Sequence, residues 1–273
     1  MRKVKILAVI SLLMFIFNTQ AQTLSKATNL SANSFQILNI MDDFWKYWEK
    51  GEKADIPTRT KLFRETVINP HKEIYEGFVN IDDEDLAGYV KDVVPLIPRM
   101  RKITQKLDKE LPEAVANFKK TFPKFSWGGT AVFMPNYGTT DSGGGTINGK
   151  HYQIFGVDTI AIQYGENANL AVLFSHELFH LYHGQFHPEL NGKKREKGEI
   201  PLYLMVWNEG LATYISQRLN PKASLEEIFL GQKVQTEVAP KTANLSQKIL
   251  DNFDNGSPDV WKPLLSARKV NDE

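Results

Sequence analysis

In the run from Asn169 to Gly184, His176 and His180 stand four residues apart, with Glu177 directly after the first, giving the pattern His176-Glu177-Leu178-Phe179-His180. Four residues advance a helix by about 400°. The two imidazoles therefore lie on one face, a turn apart, where they can take adjacent corners of a metal ion's tetrahedron. Glu177, about 100° round from His176, stands beside such an ion rather than on it, where a carboxylate can take a proton from water. With six histidines in the chain, this spacing arises by chance on the order of once in 100 such sequences, so composition alone does not account for it. Leu170, Val172, Leu173, Phe174, Leu178, Phe179 and Leu181 make the helix apolar almost all round, the mark of a buried helix. There, each polar group left without a partner costs roughly 1–3 kcal/mol. A divalent cation satisfies both imidazoles at once.

A catalytic zinc takes three protein ligands and keeps a fourth position for water. The segment from Val206 to Ser216, read as a helix, puts Glu209, Ala212, Thr213 and Ser216 on one face that is small apart from the carboxylate. A second helix of this kind can approach the first closely and offer Glu209 to the metal, with Thr213, one turn on, as a supporting hydrogen-bond partner. His187 is a rival third ligand. It and His183 would continue the histidine stripe on an unbroken helix, but Gly184 and Pro188 predict that the helix stops first. His183 reads as a residue supporting the site or lining its rim, and His71 and His151 as surface residues.

The elements that must position this site divide into three stretches. Residues 1–21 carry Arg2, Lys3 and Lys5, then the apolar run Ile6 to Phe17, then Asn18-Thr19-Gln20-Ala21, the order of a secretory signal peptide cleaved before Gln22. The apolar run is shorter than the roughly 20 residues that span a bilayer. The mature chain is thus expected to be exported, periplasmic or secreted, without stable membrane insertion. Residues 22–125 form an N-terminal helical region. A helix is expected from about Ser31 to Gly51, with Phe35, Ile37, Leu38, Met41, Phe44, Trp45 and Trp48 on its apolar face, and further helices near 58–67, 81–106 and 111–121. Pro95 and Pro98 mark a break inside the third of these stretches. Residues 126–273 open on glycine, threonine and β-formers and read as a small sheet around 130–134 and 152–162. The Asn148-Gly149 pair predicts a tight hairpin turn. Gly143-Gly144-Gly145 lacks the Lys-Ser/Thr of a phosphate loop and reads as a mobile loop.

Composition excludes several functions. The 273 residues contain no cysteine, which removes disulfide scaffolds, thiolate metal sites and cysteine nucleophiles. Thirty-three Lys+Arg against 32 Asp+Glu give a net charge of +1, so no global basic field draws the chain to nucleic acid. Removal of residues 1–21 takes away Arg2, Lys3 and Lys5 and moves the net charge from +1 to −2, still near neutral.

The sequence resembles the gluzincin metallopeptidases, the peptidase MA-like zinc proteases, and within them bacterial families of zinc-dependent proteases. The likeness rests on His176-Glu177-Leu-Phe-His180-Leu-Tyr-His183 followed by Trp207-Asn208-Glu209-Gly210-Leu211-Ala212-Thr213-Tyr214, with the Gly-Gly-Thr strand region ahead, and more loosely on Asp42-Asp43-Phe44-Trp45. It implies an α+β, mainly α, zincin-like catalytic domain behind the helical region. It also implies one Zn2+ held by His176, His180 and Glu209, with Glu177 as general base. Such enzymes usually place a Tyr, His or Arg beyond the third ligand to stabilise the oxyanion. Only 64 residues follow Glu209 and none is histidine, so Tyr214 is the expected group, with Arg218, Tyr164 and Tyr182 as alternatives. The expected activity is metal-assisted hydrolysis of a peptide or protein substrate, which could add as a strand to an edge between Gly129 and Ile162. The alternatives are a catalytically silent zinc-binding protein and a metal-free peptide-binding protein.

Overall fold

A computed structural model describes residues 36–79, 82–187, 190, 200–230, 236, 239–257 and 259–260 of the chain. The expected signal peptide, residues 1–21, lies outside the described residues. In chain order the elements are β1 (Gln36–Asn39), α1 (Met41–Gly51), α2 (Ile56–Phe63), α3 (Lys72–Phe78), α4 (Asp83–Asp92), α5 (Ile97–Thr121), β2 (Thr130–Met134), β3 (Ser142–Ile147), β4 (Lys150–Gly156), α6 (Val157–Gln163), α7 (Leu170–Phe186), α8 (Leu202–Leu219), α9 (Leu225–Ile228) and α10 (Thr242–Asp251). The protein is α+β, mainly helical, with a small mixed sheet. No helix of the described residues is long and apolar enough to cross a membrane.

The chain forms two compact units that interleave along the sequence. The first takes the described residues of 36–107 and 128–168; the second takes 108–127 and those from 169 onward. The first unit has residues on both sides of the expected division near residue 125. The physical reason is β1: the segment Gln36–Asn39, expected inside a helix, is a strand that pairs parallel with β2, Ile37 opposite Ala131 and Leu38 opposite Val132. That pairing ties the N-terminal stretch to the sheet.

In the first unit the sheet order is β1-β2-β4-β3, with β1, β2 and β4 parallel and β3 antiparallel to β4. β2 reads as an unbroken apolar run, and Ala131, Val132, Phe133 and Met134 are all buried, as expected of a strand covered on both faces. Gly143-Gly144-Gly145, expected as a mobile loop, lies in edge strand β3, opposite Ile154, Gln153 and Tyr152 of β4. Glycine is required there by space: a Cβ on Gly145 would lie 2.5 Å from the Phe78 ring. Asn148 and Gly149 turn the hairpin with φ of 49° and 77°, as the sequence predicts. Asp158, fully buried, accepts hydrogen bonds from the backbone N–H groups of Asn136, Gly138 and Thr159 at 3.0–3.2 Å and fixes the loop after β2.

The second unit carries α7 and α8. Asn169 caps α7, its side chain accepting from Val172 N at 3.3 Å. Leu170, Val172, Leu173, Phe174, Leu178 and Phe179 are buried along it. Phe118, Phe122 and Phe125 stack in turn against one another and against Phe179 and Tyr182. The N-terminus of α8 has no side-chain cap. Instead the N–H groups of Leu202 and Tyr203 donate to the carbonyls of Asn255 and Phe253 at 3.1 and 3.0 Å, which satisfies donors that a helix start otherwise leaves open.

Candidate metal centre

Small side chains let α7 and α8 pack closely. Ala212 and Ser216 are fully buried on α8, and at its end the Asn220 amide donates to Ser175 Oγ at 3.1 Å and to the Ala171 carbonyl at 3.5 Å. With the helices so joined, one turn of α8 faces the histidine pair of α7. His176 Nε2 lies 3.0 Å from His180 Nε2 and 3.2 Å from one oxygen of Glu209, while His180 Nε2 lies 3.4 Å from the other. The three ligand atoms are all within 4.8 Å of one another. His183 and His187 are not members of this group.

The spacing can be compared with what a zinc ion requires. Zinc–nitrogen and zinc–oxygen bonds of about 2.0–2.1 Å in a tetrahedron set neighbouring donors about 3.3 Å apart. The Nε2–Nε2 separation of 3.0 Å and the 3.2 and 3.4 Å from His176 and His180 to the two different oxygens of Glu209 all lie near that edge length. Nitrogen and carboxylate donors, without thiolate, are also the set of a catalytic rather than a structural site. The residues fit the ion.

Electrostatics point the same way. Burial alone pulls the pKa of His180 down, but the Glu209 carboxylate more than offsets it, with Glu177 and Asn208 adding to the effect, and His180 is held up at about 9. Burial likewise opposes the charge of Glu209, yet the two imidazoles hold its acid well below the usual carboxylate range. Glu209 thus draws positive charge into the space between the ring nitrogens, and either a proton or a cation can supply it.

The surrounding side chains sort the sequence-derived candidates. Glu177 is half-buried on α7 and lies within electrostatic reach of His180. Tyr214, 54% exposed, lies on α8 about 200° round from Ala212. Arg218 shares that outer side of the helix. Tyr182 is held in the aromatic wall. His71, expected as a plain surface residue, pairs with Asp43 at 2.8 Å, whereas His151 is exposed and bonds Thr146 at 2.9 Å. His187 sits at the end of α7 with its ring against His183 and Trp207, 4.7 and 5.8 Å between centroids.

Thr213 is not the partner found beside the donors. That place belongs to Asn208, to which the sequence reading assigned no role: its amide lies between His180 Nδ1 at 2.9 Å and His183 Nδ1 at 2.7 Å. Its adjacency to Glu209 was the available signal. A residue one step from a ligand on a helix points about 100° away, toward the next turn of the facing helix. Among the described residues, His176 Nδ1, also buried, has no hydrogen-bond partner.

Neither the curated proteins nor the proteins of solved structure include one that matches this chain. A family model does match, over residues 95–256, a span that holds α7, α8 and all three donors. Because that span is more than half of the chain, the protein belongs to the DUF5700 family, described as "Putative zinc dependent peptidase".

Proposed function

We propose that the protein is a zinc metallopeptidase of gluzincin type and zincin-like fold, in which His176, His180 and Glu209 hold one Zn2+ and Glu177 is the general base. The convergence of three nitrogen and carboxylate donors at tetrahedral spacing carries the reading. When bound, zinc supplies a Lewis acid that polarises a peptide carbonyl and acidifies the attacking water toward a pKa of about 7. The chain's own groups do the rest. His176 and His180 present Nε2 from one face of α7, and Glu209 supplies the single negative charge of the ligand set. The Glu177 carboxylate takes the water proton and returns it to the leaving amine, a role worth about 10²–10⁴-fold in rate.

Zinc stoichiometry and cleavage of a mixed peptide library, compared between wild type and Glu177→Gln, test this reading. Expected are one zinc per chain in both proteins and hydrolysis only by wild type. Equal cleavage by both removes Glu177 from the mechanism. Zinc without any hydrolysis by wild type establishes the silent zinc-binding protein instead.

A further inference from the structure

His183 is buried, 6% exposed, and its ring is clamped between Phe179, stacked at 5.2 Å, and Trp207 at 4.8 Å. A phenyl ring would fill that slot as well, so packing alone does not explain an imidazole there. The distinguishing atom is Nδ1, 2.7 Å from Asn208 Oδ1, while Asn208 Nδ2 lies 2.9 Å from His180 Nδ1. The amide therefore bridges a histidine that holds the metal and one that does not.

A carboxamide has one accepting end and one donating end. A neutral imidazole that coordinates through Nε2 carries its proton on Nδ1 and needs an acceptor there. Among the described residues, the amide of Asn208 is the group found at His180 Nδ1, and its accepting end is Oδ1. A half-turn of the amide exchanges two atoms of nearly equal size without moving either ring. It presents Oδ1 to His180 and Nδ2 to His183, whose Nδ1 must then accept. We propose that His183, acting through Asn208, is a positioning residue of the metal centre: by accepting from the amide it fixes Oδ1 toward His180 and so keeps the His180 Nε2 lone pair free for zinc. This rests on the zinc reading above.

Zinc affinity, measured on the full chain by competition with a chelator, tests it without reference to activity. Asn208→Ala should weaken binding about 10- to 100-fold. His183→Phe keeps the ring stack, removes the acceptor and should weaken binding roughly 10-fold. Asn208→Asp offers identical oxygens to both histidines and has no orientation to set, so adding His183→Phe to it should change affinity by less than about threefold. Loss of the wild-type ring hydrogen-bond pattern is read separately, by nitrogen NMR of histidine-labelled wild-type protein, which requires no variant to fold. Loaded with zinc, His183 should carry its proton on Nε2 and His180 on Nδ1. An unchanged affinity in His183→Phe, a loss from His183→Phe that is equal with and without Asn208→Asp, or a His183 proton on Nδ1 in the zinc-loaded protein overturns the proposal. Wild-type protein that takes up no zinc overturns the metal reading itself, and this inference with it.

Discussion

Because Glu209 holds His180 up at about 9 against an ordinary 6.5, metal uptake must compete with a proton. A histidine coordinates only when Nε2 is free of hydrogen. Zinc affinity should therefore rise about tenfold per pH unit up to roughly pH 9 and level off beyond it, so that at pH 7, two units below, binding is about 100-fold weaker than its plateau. Stability of the chelated protein follows the opposite trend. The folded pKa of His180 lies above its unfolded value, so the His180 contribution is complete below about 6.5 and is lost as pH rises through about 9. It amounts to about 3 kcal/mol. Glu209, shifted downward, contributes above about 4.5 and loses that contribution only as pH falls through its folded value. The contribution of the His180–Glu209 pair to the chelated protein is thus largest between about pH 4.5 and 6.5, whereas added zinc stabilises increasingly toward pH 9. Calorimetric zinc titrations at pH 7.5 in two buffers of different ionisation enthalpy should show about one proton released from His180 per ion. In Glu209→Gln, where the raising charge is gone, the knee of the affinity curve should fall toward 6.5 even as affinity drops. An affinity that is already flat from pH 7 upward in wild type refutes the reasoning.

Three further outcomes are expected. Asp158→Ala leaves the N–H groups of Asn136, Gly138 and Thr159 without their acceptor; at roughly 1–3 kcal/mol for each buried group, Tm by thermal unfolding should fall by about 10 °C, and a fall under about 2 °C counts against that role. Gly145→Val forces a side chain into the Phe78 ring and should destabilise by about 1–3 kcal/mol in denaturant titration, an effect that Phe78→Ala in the same chain should partly relieve. Tyr214→Phe should leave kcat within about threefold, because Tyr214 is 54% exposed on α8; a loss of about 10²–10³-fold, the size of one missing oxyanion donor, would place Tyr214 in the mechanism.

The histidine pair was legible because its spacing is local. Residues four apart on a helix share a face whatever surrounds them, and the apolar flanks of α7 report its burial. Glu209 was legible through the small residues beside it, Ala212 and Ser216, which mark a close helix contact without naming the partner. What stayed hidden depended on pairing across long separations. Ile37 and Leu38 fit a helical face as well as a strand, and only β2, more than 90 residues on, decides between them. The glycines at 143–145 read as loop because glycine lacks β-propensity, whereas at Gly145 the close approach of the Phe78 ring demands a bare backbone.

The composition bears on the site's chemistry as well. A chain without cysteine can build a zinc site only from imidazole and carboxylate, and two neutral histidines with one glutamate carry a single negative charge. A dication among them keeps a net charge of about +1, compared with −2 in a four-thiolate site, and so keeps its pull on a carbonyl oxygen and on water. Glu209 is therefore under two demands: a second carboxylate in the ligand set would bind the ion more tightly but quench it. On the proposed reading, placing the other acid, Glu177, one step along α7 from His176 would meet both, since it would add negative charge near the ion for proton transfer without joining the ligands. In the proposed mechanism, geometry rather than acid count would separate ligand from base, through the roughly 100° that one helical residue turns.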